Sequence, residues 1–373
     1  MASTGNQQTI KKVNKSLLLH LIASRSPVSR VELSRITKLS PSTVSALVDE
    51  LRAEDLVHET GTVSGAGAGR RMTMLAVRPD GGYVLGIDLA KPLAILLDLS
   101  GRIAAERSLP AFADKQAIID RLPLLVEELL REHEVSPAKV RRIVVSVPGR
   151  IDEAGRRILS AVPLGLQNWA LAAWLEQRIG MPVDLINDLE AAGFAERSSG
   201  AAQGCRTIVY LLVGRTVGAG LVIEDRIYRG SAGFAGRIGV FSRYGTMQLA
   251  DRLKKKYPDR FPIEQEPQDT LRAFSEMALD SAGPLAEELD RVLRGISAYC
   301  GNVLQLLNPE RLIIRGWIAE NEAVFDRLRM YIEQAEDARG EVTPVQAAAW
   351  GDRGSAWGAA TLGLHELFKP AGI

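Results

Sequence analysis

Three short stretches hold residues whose types and spacing could do chemistry. Asn187-Asp188 closes the apolar run 183–186, Pro148-Gly149 closes the run 140–147, and Gly214, Gly218 and Gly220 punctuate the run that starts at Thr207. Each run reads as a buried strand, and in alternating α/β chains ligands gather at the carboxyl ends of strands. A carboxamide beside a carboxylate can converge on the hydroxyls of a small polar ligand. Glycine turns can bring backbone N–H groups close to a phosphate. Asp188 also has a plainer reading: it caps the helix 189–197, while Asn187 ends the strand. A further acid, Asp88, lies in VLGIDLAKPLAILLDLSG at 84–101. There the runs 84–87 and 93–97 flank a polar break and predict a hairpin. The turn after Asp88 is Leu89-Ala90-Lys91-Pro92. It has no glycine, and Pro92 removes an N–H donor.

These stretches need elements to position them. From Gly82 onward strand and helix signals alternate: a helix over 122–133, strands over 140–147 and 183–186, a hairpin from 207–212 through 220–223, and a late strand at 312–314 before Arg315-Gly316. Ahead of Gly82 the pattern differs. Leu17, Leu18, Leu19, Leu21 and Ile22 give residues 10–23 an apolar helical face. Ser29 predicts a cap for the helix SRVELSRIT, with Glu32 as capping-box partner. Ser40-Pro41 predicts the cap and first residue of a third helix, whose Val44, Leu47, Val48 and Leu51 face inward.

Ser42, Thr43, Ser45 and Ala46 are left on the exposed start of that helix. Helix, tight turn and helix with small polar residues at its start is the pattern that enters a DNA major groove. Two strands, 56–59 and 72–77, then enclose GTVSGAGAGRR, a β-wing whose Arg70-Arg71 can follow a minor groove. The DNA-binding candidates are Ser40, Ser42, Thr43, Ser45, Arg70 and Arg71. The plainer reading is a three-helix interaction domain followed by a flexible linker.

Composition narrows the classes. The chain has 373 residues, 46% hydrophobic and 24% charged, an ordinary globular balance. Residues 1–80 carry 11 Lys/Arg against 7 Asp/Glu, and the rest 35 against 38. A basic head on an acidic body fits a polyanion partner for the head. No apolar run is long enough for a membrane span, and no signal-peptide pattern precedes the first helix. Cys205 and Cys300 are the only cysteines and histidines number four. No disulfide framework or zinc cluster is expected, and the expected location is cytoplasmic.

The chain resembles the ROK family (repressors, open reading frames and kinases). The resemblance is carried by GIDLAKPLAILLDLSG, VSVPGRID, LINDLEAAGFAER, LVGRTVGAGLVIEDRIYRGSAGFAGRIG, LLNPERLIIRGW and GDRGSAWGAA, in that order. It implies a winged helix-turn-helix at 1–80, the arrangement of the family's repressor branch. It also implies a two-lobed actin-like/hexokinase-like body at 81–373. The lobes would meet near 188–200, with the C-terminal helix returning to the first lobe. By resemblance Asp188 matches the catalytic base of the family's kinases.

Departures from the family decide the expected function. Its GTGxGxG turn keeps Gly214, Gly218 and Gly220 but has Arg215-Thr216 in the middle, and Arg315-Gly316-Trp317 stands where the family has nucleotide glycines. In place of Glu-x-Gly-His the chain has Arg237-Ile238-Gly239-Val240, and no Cys or His follows, so no zinc is expected there. The segment 241–269 is expected to fold instead through Met247, Leu249 and Leu253.

The expectation is a DNA-binding transcriptional regulator, a repressor, with no catalytic residues, metal or cofactor. Its partners are double-stranded DNA at a palindromic operator, a second copy of itself in a homodimer or homotetramer, and a sugar-type effector. That effector is expected in a cleft lined by Asn168, Asn187, Asp188 and Arg237, and Arg237 favours an anionic or atypical sugar. The plainer reading of Arg237 is a surface residue. The alternative of a different class is an ATP-dependent sugar kinase with an appended DNA-binding head.

Overall fold

The computed structural model describes residues 2–64, 71–215, 217–238, 243–280, 282–337, 340 and 342–370. The head runs α1 (Ala2–Arg25), β1 (Val28–Ser29), α2 (Arg30–Thr37), α3 (Pro41–Ala53), β2 (Val57–Ser64) and β3 (Arg71–Val77). Its helix starts follow from local chemistry. The Ser29 hydroxyl accepts the Glu32 N–H, and the Glu32 carboxylate accepts the Ser29 N–H at 2.9 Å. This capping box satisfies two helix-end donors and holds the Glu32 carboxyl below its usual range. Lys38 turns the chain in the left-handed region, at φ 62°. The Ser40 hydroxyl then accepts the Thr43 N–H at 3.1 Å.

Val44, Leu47, Val48 and Leu51 are buried against α1 and α2. β2 and β3 pair antiparallel, and β1 pairs with β3 as a third strand that the sequence pattern does not announce. β2 continues past Glu59 to Ser64 because the pairing resumes after a bulge at Glu59/Gly61. Arg70 and the Arg71 side chain lie outside the described residues.

The first lobe is built from β4 (Tyr83–Asp88), β5 (Leu93–Asp98), β6 (Ile103–Ser108), α4 (Lys115–Glu132), β7 (Val140–Val147), β8 (Arg150–Ile151), β9 (Ile158–Ala161), β10 (Leu166–Trp169), α5 (Leu171–Ile179) and β11 (Val183–Asn187). Its main sheet has the order β11-β7-β4-β5-β6. β4, β5 and β6 form an antiparallel meander, while β7 and β11 run parallel to β4. α4 begins earlier than the periodicity suggests. Asp114 caps it through the Ala117 N–H at 2.8 Å, and the helix runs through Pro123.

α6 (Asp188–Ser199) leads to the second lobe. That lobe comprises β12 (Ile208–Val213), β13 (Val217–Ile223), β14 (Arg226–Ile227), α7 (Thr246–Lys256), α8 (Pro267–Asp280), α9 (Pro284–Leu307), β15 (Arg311–Gly316), α10 (Glu322–Asp337) and β16 (Val345–Ala347), after which α11 (Gly354–Phe368) returns to pack Ala356, Ala359 and Ala360 on the first lobe's sheet. The second lobe's sheet order, β14-β13-β12-β15-β16, repeats the pattern of three antiparallel strands and two parallel ones. α7 occupies part of the segment after Arg237, with Leu249 and Leu253 buried and Met247 half-buried.

α6 and α11 pack between the lobes at backbone contact. A Cβ on Gly358 would sit 1.8 Å from the Ala191 carbonyl oxygen, and one on Gly86 of β4 would sit 2.2 Å from that of Ala356. The Ser355 hydroxyl donates to the Asp188 carbonyl at 3.1 Å, and the Trp357 indole donates to the Ser199 hydroxyl at 3.0 Å. At its far end α11 enters the head: Leu364, Leu367 and Phe368 pack against the cluster of Leu18, Ile22 and Leu99. Arg141 of β7 donates to the Gly81 carbonyl at 2.8 Å and the Glu54 carbonyl at 3.3 Å, tying head to body. Gly358→Ala should therefore force the two helices apart and cost about 1–3 kcal/mol. Denaturant unfolding of the variant checks this, and an unchanged midpoint would refute the close contact.

Candidate functional site

Between the lobes lies a cavity of about 310 Å³, at the small end of ligand sites. Its walls come from the turn after β7, from β8 and β9, from the start of α6, from β13 and from residues 229–238. Glycines shape it. A Cβ on Gly149 would lie 2.3 Å from the Ser160 carbonyl oxygen, so the β7 turn can press on β9 only without a side chain. Gly236 has φ 76° and would collide with the Ala219 carbonyl at 1.9 Å, which pins the segment before Arg237 onto β13.

Asn187, Asp188 and Arg237 all line this cavity, and Asn168 does not. Asn168 is exposed on β10, at φ 44°, and its side-chain oxygen accepts from Arg157 at 2.9 Å. Asn187 is the cap of α6 in place of Asp188. Its oxygen accepts the N–H groups of Leu189 and Glu190, and its amide donates to the Gly149 carbonyl and to Asp188 Oδ1, both at 2.9 Å. Two acceptor and two donor sites are all that a carboxamide offers. Asn187 therefore positions its neighbour and has no capacity left for a ligand. Asp188, the first residue of the helix, lines the cavity beside it.

Three charged residues of the cavity escaped the sequence reading: Arg150, Glu190 and Arg229. Glu190 sits two positions after Asp188 in the first turn of α6, which was the available signal. It pairs with Arg229 at 2.9 Å. Arg150 stacks its guanidinium over the Phe234 ring at 3.7 Å, a contact across the cleft.

Burial raises the Asp188 carboxyl to about 6, against the pull of the Leu189 and Asp188 N–H groups and of the Arg237 charge. Asp88 is 1% exposed. Burial pushes its carboxyl up to about 7, with the Asp188 charge adding to the effect. Its Oδ1 accepts the Ala90 N–H at 2.8 Å, so this acid closes its own turn.

The remaining strand ends are filled by protein. Arg315 pairs with Asp352, and Lys91 reaches the same carboxylate at 3.7 Å. Trp317 is buried and donates from its indole to the Tyr244 carbonyl at 3.0 Å. Cβ atoms on Gly218 and Gly220 would strike Leu189 at 2.6 and 2.1 Å, and one on Gly316 the Val213 carbonyl at 2.0 Å. These glycines serve packing. Among the described residues no group of three or more His, Cys, Asp or Glu side chains is placed to hold a metal ion. No helix among them is long and apolar enough to cross a membrane.

On the head, Ser42 and Ala46 are exposed at the start of α3, and Thr43 and Ser45 are half-buried beside them. Ser40 is committed to the cap and also bonds the Ser42 and Thr43 hydroxyls at 2.9 and 2.8 Å. Arg35 and Lys38, exposed at the end of α2 and in the turn, add positive charge beside this face and were not among the sequence candidates.

A sequence profile described as ROK family matches residues 84–242. A xylose repressor of Bacillus spizizenii is 33% identical over 335 residues, which cover 85% of each chain. The chain belongs to the ROK family. A xylose repressor of Caldicellulosiruptor bescii is 33% identical over 239 residues, and there the match spans 63% of this chain and 60% of the relative. A DNA-binding transcriptional dual regulator, NagC, of Escherichia coli is 24% identical over 87% of this chain and 85% of its own.

Among solved structures, a ROK family transcriptional regulator described as a homolog of the E. coli MLC protein superposes with a TM-score of 0.78. It is 21% identical, over 96% of this chain and 97% of that one. A ROK family glucokinase from Streptomyces griseus superposes with a TM-score of 0.62, at 22% identity, over 75% and 99%. These two likenesses show the fold: the two-lobed body is that of a ROK kinase, and the match to the regulator extends over the head.

The buried acid at the first turn of this ROK body yields a pH test. Asp88 titrates higher in the folded chain, at about 7, than its ordinary 3.8. The folded state therefore binds more protons across that window, and stability falls as pH rises through it. Asp88→Asn keeps the acceptor for the Ala90 N–H without the charge. Its unfolding free energy relative to the parent, from denaturant titration, should improve from about pH 5 to about pH 8 by an amount on the order of a few kcal/mol at most. A difference that stays constant with pH refutes the raised titration.

Proposed function

We propose that this ROK protein is a DNA-binding transcriptional regulator, a repressor, whose body acts as an effector sensor without phosphoryl transfer. The observation that carries the reading is the start of α3. It is rigidly capped, shows small hydroxyl side chains to solvent, and lies beside a three-stranded wing sheet. Small residues let a helix sink into the major groove, and its first turn offers N–H groups and hydroxyls to bases and phosphates. The relatives described above, two xylose repressors and the transcriptional dual regulator NagC, support the same reading.

In the body, the turn that would hold ATP phosphates contains Pro92, and Arg315 and Trp317 occupy the end of β15. Catalysis needs a group held for the reacting phosphate, and protein side chains are seated there. The cleft keeps Asp188, with Asn187 fixing its orientation, as an acceptor for a hydroxyl of a small polyhydroxyl effector. Two-fold self-association would let paired heads read a palindromic operator.

Two outcomes are expected. Thr43→Ala should weaken binding to the operator by about 1–3 kcal/mol, read by fluorescence anisotropy on DNA from upstream of the chain's own gene. Replacing Arg70 and Arg71 together by Ala should lower affinity and flatten its dependence on salt, because fewer counterions are released. Unchanged affinity and salt slope in both variants would defeat the assignment of the head. Sugar-dependent ADP release that is lost in Asp188→Asn would defeat the non-enzymatic reading of the body.

A further inference from the structure

The charges of the cleft do not suit a neutral sugar. Its walls hold Arg150, Arg229 and Arg237 against Asp188 and Glu190. Arg229 and Glu190 answer each other at 2.9 Å. Asp188 is held by the Asn187 amide and sits in surroundings that disfavour its charge. Arg150 and Arg237 remain. Among the described residues neither makes an ion pair within 4.0 Å, and Arg237 meets Asp188 and Glu190 only through longer-range attraction. Nε of Arg150 is buried with no hydrogen-bond partner.

The two guanidiniums are close enough that the Arg150 charge, after burial, helps to hold the Arg237 titration below its usual value. Arg150 is half-buried and Arg237 exposed at the same cavity, and two like charges lining one cleft repel until an anion joins them. They come from different lobes, Arg150 from β8 and Arg237 from the segment after β14, and the ring of Phe234 beneath Arg150 fixes its plane.

We propose that Arg150 and Arg237 form a clamp for the carboxylate of a sugar acid, with Asp188 accepting a hydroxyl of the same molecule. This rests on the reading of the cleft as an effector site and names the class of effector. Guanidinium forks match the two oxygens of a carboxylate and give directional, charge-assisted bonds. With both cleft acids ionised the three arginines leave one positive charge unanswered, which a singly charged carboxylate neutralises and a doubly charged phosphate exceeds. Because the clamp spans the lobes, such a ligand binds one degree of lobe closure better than another, the requirement for shifting a conformational equilibrium.

The test is calorimetric titration of the full chain with glucuronate, galacturonate, gluconate, glucose, xylose and glucose 6-phosphate. At least one acid should bind about tenfold or more tighter than either neutral sugar. Arg150→Gln and Arg237→Gln should each remove about tenfold or more of that affinity. Arg237→Lys, which keeps the charge and gives up the fork, should fall between and serves if the Gln variant does not fold. A neutral sugar that binds as tightly as the acids, unaffected by either Gln variant, overturns the clamp and leaves the effector cleft standing. Tighter binding of glucose 6-phosphate than of every acid overturns the carboxylate assignment. No binding by any compound of the panel overturns the effector reading, and the clamp with it.

Discussion

The backbone contact between α6 and α11 organises the molecule. Each helix leaves the last strand of one sheet, α6 after β11 and α11 after β16, and both lie where the two lobes meet, with α11 packed back on the first lobe's sheet. Ala191, Ala192 and Ala195 on one and Gly358, Ala359 and Ala360 on the other are small and buried. Small residues at such a crossing let main chains touch, and close-packed interiors transmit displacement because they hold few voids to absorb it. The contact is reinforced by Ser355 on the Asp188 carbonyl and by the buried Glu196. That carboxylate accepts the N–H groups of Trp350 at 2.9 Å and Ala201 at 2.8 Å.

This seam joins the two ends of the protein. α6 starts at the cleft, with Asn187 as its cap and Asp188 and Glu190 in its first turn. α11 ends in the head, with Leu364, Leu367 and Phe368 in the core around α1. A ligand that alters lobe closure acts on helices that cannot slide without moving the head's own packing. The same seam explains several glycines. Gly86, Gly220 and Gly358 admit a neighbouring backbone, which accounts for glycine at these positions without a phosphate.

At the strand ends where the family resemblance suggested nucleotide contacts, this chain has contacts within the protein. Asp88 keeps its place at the first turn but spends its carboxylate on the Ala90 N–H, in surroundings that favour the protonated acid. Arg315, Asp352 and Lys91 link the end of β15, the approach to α11 and the turn after β4 by charge. What remains open is the cavity beside Asp188 and Arg237. There the arginines outnumber the acids, and Asn187, itself held by three other hydrogen bonds, donates one to Asp188 Oδ1.

The sequence by itself determined what local chemistry decides. Ser29, Glu32, Ser40 and Pro41 set the helix starts of the head, because caps act over three or four residues. The spacing of Val44, Leu47, Val48 and Leu51 set the buried face of α3, and the apolar runs ending at Asp88, Val147 and Asn187 set three strands of the first sheet. The order of its motifs also identified the family. Only the tertiary structure decided roles that depend on residues distant in the chain. It made Asn187 the cap and left Asp188 to the cleft, sent Asn168 to Arg157, and turned Gly218 and Gly220 toward α6. It also brought Arg150 across to Phe234 and Arg237, residues more than eighty positions later. The reason is that capping and periodicity are read within a turn or two, whereas the charge balance of a cleft is set by which strand ends the fold brings together.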